Sequence, residues 1–134
     1  MRNLEVIFSD WLDALRRGDI DRIATRLDPA VVHQGVRSGL VCNGREAVVE
    51  RVRLMARQPP DVTAVELVEV GEHVVLSVRA RGVGVPEDPD ATEMRGQATI
   101  VFTLHDGQIV RMQDYLTREA ALAAVGAPSA DVWQ

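Results

Sequence analysis

The chain has 134 residues, 46% of them hydrophobic, and a formal net charge of −5 at neutral pH. This length suits one domain with one core. The acidic balance and the mixing of charges along the chain argue against a nucleic-acid-binding protein, which usually presents a basic face.

The chain begins with two predicted helices. A first helix is indicated by apolar residues at the i, i+3, i+4 spacing of a buried helix face, and Gly18 ends it. Its predicted inward residues are Leu4, Ile7, Phe8, Trp11, Leu12 and Leu15. Asp19 is placed to cap a second, shorter helix over residues 19–27, which Asp28-Pro29 ends.

A short strand and a third helix follow. Residues 30–36, "AVVHQGV", have the composition of a strand. Residues 43–58 are predicted to be helical, with Asn43 as the N-cap and Glu46 three residues further on, as in a capping box. The pair Pro59-Pro60 ends this helix.

The rest of the chain is predicted to form two β-hairpins and a final helix. Short turns separate the strands within each hairpin, and the polar loop 86–93 separates the two hairpins. The predicted strands are 62–70, 73–85, 94–104 and 108–116, and the helix is 118–125. We read Gly82-Val83-Gly84 as a kink within the second of these strands.

This order of elements predicts an α+β domain. Helices grouped beside an antiparallel sheet are typical of that class. We expect a curved, mostly antiparallel sheet wrapped around the N-terminal helices as a cone-shaped α+β barrel, which would enclose a cavity suited to a small molecule. Residues 1–126 would form the single domain, and residues 127–134 a C-terminal tail.

Three stretches carry a family resemblance: "WLDALRRGDIDRIATRLDPAVV", "CNGREAVVE" and "HDGQIVRMQDYLT". Together with the order of elements, they resemble the SnoaL-like polyketide cyclase group of the nuclear transport factor 2-like superfamily, over about residues 4–125. Limonene-epoxide hydrolases and ketosteroid isomerases share this cystatin-like fold. The resemblance implies a hydrophobic pocket and a homodimer formed through the sheet, with Tyr115 on the dimer side. The superfamily hosts many activities, so it does not fix the reaction.

Asp114 is the leading candidate for a catalytic residue. Strand alternation puts it on one face with Val110, Met112 and Leu116, and puts Ile109 and Tyr115 on the other. A lone carboxylate on an apolar face is unusual unless it has a function. The resemblance places Asp114 where SnoaL-like cyclases and limonene-type epoxide hydrolases have a pocket carboxylate that acts as a base.

The direction of Arg79 is open. Alternation groups Arg79 and Arg81 with Val75 and Ser77, opposite a uniformly apolar face, and so points both arginines towards solvent or a dimer partner. The resemblance instead puts Arg79 in the pocket, where it would bind an oxyanion or hold Asp114. The Arg-x-Asp pair of epoxide hydrolases is replaced here by Arg79-Ala80-Arg81, which weakens that activity as an alternative.

His33 is the third catalytic candidate, since histidine can exchange a proton near neutral pH. With Arg79 and Gln34, it is a candidate for stabilising an oxyanion. The functional residues of ketosteroid isomerases correspond here to Trp11, Gly35 or Gln34, and Thr99, so that reaction is not expected. The predicted substrate-binding residues are Trp11, Gln34, Thr99, Phe102 and Met112.

No metal or organic cofactor is expected. The three histidines have no ligand-like spacing, and the single cysteine, Cys42, can form no disulfide within the chain.

The N-terminal residues carry acids and lack a signal-peptide cleavage site, and no apolar run is long enough to span a membrane. All 15 basic residues are arginine, which we attribute to a GC-rich bacterial genome. A cytoplasmic location is therefore expected.

The function that these observations favour is acid–base catalysis without a cofactor. The reaction would be a cyclisation, isomerisation or dehydration of a small apolar carbonyl or polyketide-like compound, with Asp114 as the base. Three alternatives stay open: a non-catalytic binder of an apolar ligand, a dimerisation or adaptor module, and, more remotely, a limonene-type epoxide hydrolase.

Overall fold

The computed structural model describes residues 2–37, 39–57, 61–81 and 97–127. The predicted loop 86–93, the predicted kink at 82–84 and residues 128–134 of the predicted tail lie outside them. Within these ranges, the helices are too short or too polar to cross a membrane.

The first helix contains a π-helical segment and buries a different face from the one predicted. Helix α1 (Asn3–Ile7) continues through a π-helix (Phe8–Asp13) into α2 (Ala14–Arg17). The buried residues are Val6, Ile7, Asp10, Trp11 and Ala14. Phe8, which was predicted to face inward, is 56% exposed. The prediction was wrong because the buried face is formed by Ile7, Asp10, Trp11 and Ala14, at the i, i+3, i+4, i+7 spacing, and this face includes a charged residue that an apolar pattern does not select.

The second helix is shorter than predicted, and the first strand is longer. Helix α3 (Ile20–Thr25) has Asp19 as its N-cap, whose Oδ1 accepts the Arg22 N–H at 3.2 Å. Strand β1 (Leu27–Gln34) includes Pro29, which was predicted to separate helix from strand. Proline removes a ladder donor and is confined to irregular positions of a sheet. The β1 pairing shifts register between Leu27 and Val32, which accommodates it.

A short strand precedes the next helix. Strand β2 (Val41–Asn43) pairs with β1, and helix α4 (Arg45–Arg57) follows. The Gly44 carbonyl accepts the first intrahelical N–H, from Val48, at 3.2 Å. Gly44, with φ of +90°, therefore occupies the N-cap position predicted for Asn43, which belongs to β2.

The remaining strands complete one curved, open sheet. They are β3 (Asp61–Val70), β4 (His73–Arg81), β5 (Gln97–His105) and β6 (Gln108–Tyr115). The sheet order is β2-β1-β6-β5-β4-β3, with β1 and β6 parallel and every other pair antiparallel. The predicted α+β class with a curved, mostly antiparallel sheet is confirmed.

Each face of the sheet packs against helices. The face that carries the first helix and α4, here called the helical face, presents Val74, Leu76, Phe102 and Met112 to the main core. The opposite face, here called the outer face, presents Val75 and Val101 to a smaller core under the last helix. Asp114, which is 8% exposed, belongs to the helical face, as its alternation with Met112 predicts.

A β-bulge in β6 changes the alternation near its start. Thr103 pairs with Arg111 and Leu104 with Ile109, so Val110 is the extra residue. Ile109 is consequently buried in the main core beside Met112, although simple alternation put it on the other face. Val110 is only half-buried. Pairing from Arg111 onward is regular, so the direction of Asp114 is unaffected.

Helix α5 (Arg118–Ala124) is fixed to the outer face by a partly buried ion pair. Thr117 caps the helix by accepting the Ala120 N–H at 3.1 Å. Arg118, which is 5% exposed, binds Glu66 on β3 in a bidentate manner, with Nε–Oε1 at 2.6 Å and Nη2–Oε2 at 3.1 Å. Paired charges with this geometry are the form in which burial is tolerated.

We expect Arg118→Met to lower the free energy of unfolding by about 2 kcal/mol, because Glu66 would lose its partner in a partly buried position. Urea denaturation followed by circular dichroism measures this. The matched control is Arg53→Met, since Arg53 contacts Glu50 at 3.7 Å with both side chains more than half exposed. Equal effects of the two substitutions would contradict the structural role assigned to Arg118.

Candidate functional site

The site is built around a hydrogen-bonded histidine and aspartate. His33 lies on β1 opposite Met112 of β6, and Asp114 follows Met112 by two residues on the same face. His33 Nε2 lies 2.7 Å from Asp114 Oδ1. Their exposed fractions are 5% and 8%. The two residues were selected separately from the sequence, and the parallel pairing of β1 with β6 brings them together.

Apolar side chains surround this pair. On the helical face, the residues opposite Asp114 along successive strands are Ile100, Leu76 and Leu67. The neighbouring row contains Met112 and Phe102, which are fully buried. A carboxylate in such surroundings is costly unless it is paired. The His33 contact supplies a partner to one carboxylate oxygen, Oδ1.

Asp114 lies at the boundary between the packed core and a more accessible part of the helical face. In the neighbouring row, Met112, Phe102 and Val74 are fully buried. One row beyond Asp114, Val78 pairs with Ala98, and both are half-buried. Val65, opposite Val78, is 43% exposed. A ligand that approached along these apolar residues would reach Asp114 before the core.

Trp11 packs across from the sheet on the same side as this pair. Its ring meets Phe102 edge-to-face, with centroids 5.1 Å apart and an interplanar angle of 66°. Trp11, Phe102 and Met112 were predicted to bind substrate, and all three lie in the main core on the face that carries Asp114. Their part in binding stays a prediction.

Arg79 and Thr99 lie on the outer face. Pairing between β4 and β5 is regular from His73 to Arg79, with Ser77 opposite Thr99 and Arg79 opposite Gln97. Both residues therefore share the face of Val75. Thr99 is 2% exposed, with its Oγ1 3.4 Å from Ser77 Oγ. The prediction that Arg79 and Thr99 join Asp114 in one pocket was wrong. Alternation gave the correct direction for Arg79, and the positional correspondence with epoxide hydrolases did not.

Gln34 stabilises a turn instead of lining the site. Its Nε2 donates to the carbonyl oxygens of Gly35 at 3.1 Å and Arg37 at 3.0 Å. Since it follows His33 directly on β1, its side chain leaves the strand on the opposite face. The predicted pocket role of Gln34 was therefore wrong, because its amide binds backbone groups of the β1–β2 connection.

Two further residues were not selected from the sequence. Cys42 pairs with His33 across β1 and β2, and its half-buried thiol packs against the main core. Asp10 is 6% exposed and binds Arg26. The sequence offered one indication for Asp10, which lies four residues from the buried Val6 and Ala14.

Among the described residues, no group of three histidines, cysteines or acids could hold a metal ion.

Comparison with known families gives one match. Residues 8–112 match the model of a family described as the SnoaL-like domain. A comparison with curated proteins finds no match.

Solved structures share the fold at low sequence identity. A candidate polyketide cyclase from Pseudomonas putida is 17% identical with a TM-score of 0.65, over 93% of this chain and 98% of that one. Another from Xanthomonas campestris is 21% identical with a TM-score of 0.64, over 92% and 96%. An NTF2-like protein of unknown function from Cytophaga hutchinsonii is 15% identical with a TM-score of 0.64, over 91% and 96%.

We expect His33 and Asp114 to be energetically coupled. Replacing either with alanine leaves the other polar group buried without its partner, whereas replacing both removes the two groups together. A double-mutant cycle in urea should give a coupling energy of about 1–2 kcal/mol. His105 and Glu72, 3.9 Å apart and each 68% exposed, provide the control cycle, for which we expect no measurable coupling. Additive effects at His33 and Asp114 would contradict a desolvated contact.

Proposed function

This chain belongs to the SnoaL-like domain family, and we propose that it catalyses proton transfer on a small, neutral, apolar carbonyl compound. The observation that carries the proposal is the buried 2.7 Å contact between His33 and Asp114 on the helical face. Two titratable groups held together in an apolar setting are a common arrangement for acid–base chemistry. The candidate polyketide cyclases of the same fold are consistent with this reaction type.

Asp114 is the proposed base. Its Oδ1 is held by His33, so Oδ2 would accept a proton from a carbon next to the substrate carbonyl. The electron pair of the broken C–H bond then moves into an enolate, whose oxygen carries the developing negative charge. Holding the carboxylate in one orientation lowers the barrier, because the base need not reorganise during proton removal.

His33 has two proposed tasks. Of the three residues predicted to stabilise the oxyanion, Arg79 and Gln34 point away from Asp114, which leaves His33. Its Nε2 orients the Asp114 carboxylate. As Asp114 is neutralised by the proton it accepts, the same Nε2–H would share its hydrogen bond with the enolate oxygen beside the carboxyl group.

The enolate can react in three ways, all of which return the proton from Asp114. Protonation at a different carbon gives an isomer. Attack on a second carbonyl carbon of the same molecule forms a ring, and the new alkoxide takes the proton. Loss of a hydroxyl group on the next carbon gives a dehydrated product, with the proton leaving in water. Each needs only the acid and base already described.

The surroundings of Asp114 favour a neutral, apolar substrate. Ile100, Leu76 and Met112 are its neighbours on the helical face. These side chains can bury a hydrocarbon ring, but they offer no hydrogen bonds to a charged group. We propose that the substrate enters over Val78 and Ala98, where the face is only half-buried. Epoxide hydrolysis becomes less favoured, since it would use Arg79 beside Asp114.

We expect the protein to accelerate exchange of the acidic α-protons of 2-tetralone, a neutral bicyclic ketone, in deuterated water. Proton nuclear magnetic resonance measures the loss of signal against a buffer blank. Asp114→Asn should lower the exchange rate above the blank by about 10²-fold or more, because the base is lost. His33→Leu should lower it by about tenfold, through loss of orientation.

The control substitution is Asp21→Asn, which removes an exposed acid from α3 and should leave the rate unchanged. If Asp114→Asn exchanges as fast as the unmodified protein, the proposed base is wrong. Binding of 2-tetralone without any exchange above the blank would favour the non-catalytic binder instead.

A further inference from the structure

A buried carboxylate on the first helix has no part in the proposed proton transfer. Asp10 is 6% exposed, and its Oδ2 lies 2.6 Å from Arg26 Nε. Its Oδ1 lies 3.4 Å from Arg22 Nε. Placing a carboxylate on the buried side of a helix costs free energy unless arginines compensate it. Asp10 therefore calls for a structural or functional reason.

Arg26 links Asp10 to the hairpin that carries Asp114. Arg26 Nη1 donates to the Gly107 carbonyl at 3.2 Å, in the turn between β5 and β6. The Arg26 carbonyl in turn accepts the Ile109 N–H at 2.7 Å. Through Arg26, the middle of the first helix is fixed relative to the strands that carry Phe102 and Asp114.

Asp10 lies within the π-helical segment, directly before Trp11. Asp10 and Trp11 belong to one buried helix face with Ile7 and Ala14, at the i, i+3, i+4, i+7 spacing, and Phe8 lies outside this face at 56% exposure. Asp10 is the charged residue of that face. Its ion pair favours this orientation of the helix, because the contact requires the carboxylate to face Arg26.

We propose that Asp10 is a positioning residue for Trp11, which with Phe102 would form one wall of the proposed ligand site. Its contact with Arg26 holds the buried face of the first helix against the β5–β6 turn and thereby places Trp11 edge-on against Phe102, on the side of the sheet that carries Asp114. The effect on ligand binding rests on the proposed function; the placement of Trp11 does not. Asp10 touches no reacting atom in this scheme and acts through Trp11.

The experiment compares Asp10→Asn with Asp13→Asn, each in a Trp133→Phe background in which Trp11 is the only tryptophan. Asp13 is a matched control, because it lies on the same helix and contacts Arg16 and Arg17 at the surface. The readouts are the Trp11 emission maximum, its quenching by acrylamide, and the Kd of the neutral dye Nile red. Circular dichroism checks that each variant is folded at the temperature used.

For Asp10→Asn we expect Trp11 emission to move to longer wavelength and quenching to increase. The Kd of Nile red should rise about fivefold, equivalent to roughly 1 kcal/mol. Asp13→Asn should leave all three readouts unchanged. Identical Trp11 emission in both variants would overturn the proposal. If the unmodified protein binds no Nile red, the apolar ligand site proposed beside Asp114 is wrong. The Trp11 emission still tests the placement of Trp11 in that case.

If Asp10→Asn does not fold, Asp10→Glu and Asp13→Glu replace the pair. Both keep the negative charge, but the longer side chain moves the carboxylate at position 10 relative to Arg26. A red shift of Trp11 emission in Asp10→Glu alone would support the proposal, and unchanged emission in both would refute it.

Discussion

The parallel pairing of β1 with β6 is the constraint on which the site depends. It joins the first strand to the last and places His33 beside Asp114, 81 positions further along the chain. Every other pairing in the sheet is antiparallel, and each of these four pairings joins strands that follow each other in sequence. The hydrogen-bonded pair is thus formed by long-range topology, and its apolar surroundings come from the neighbouring strands β4 and β5.

Two partly buried ion pairs hold the helices to the two sides of this sheet. Asp10 and Arg26 fasten the first helix to the β5–β6 turn, and Glu66 and Arg118 fasten α5 to β3. Each pair is bound with hydrogen-bonding geometry, which offsets the desolvation of the charges. Because α5 covers the middle of the outer face, a homodimer formed through the sheet, which we still predict, would have to include this helix in its interface.

Local patterns predicted much of the fold, and they failed at a β-bulge and at a helix that buries a charged residue. Alternation gave the inward direction of Asp114 and the outward direction of Arg79 correctly. It misplaced Ile109, because the bulge at Val110 shifts the period. The apolar pattern of the first helix misplaced Phe8 for a different reason, since the buried face includes Asp10, whose partner Arg26 lies 16 positions further along the chain. A local window of hydrophobicity does not contain such a contact.

The position of β1 also has a consequence for how the protein folds. Strands β3 to β6 can pair in succession, and apart from the connection between β4 and β5 each pairing closes only a short loop. Strand β1, in contrast, gains its second neighbour only when β6 is present. Joining the N-terminal elements to this meander closes the longest loop in the sheet, so we expect it to be a late step. A nascent chain that has not yet exposed residue 114 to solvent at the ribosome holds His33 without its carboxylate. The pair therefore forms only after residue 114 has left the ribosome, and shorter chains lack one half of the proposed acid–base pair.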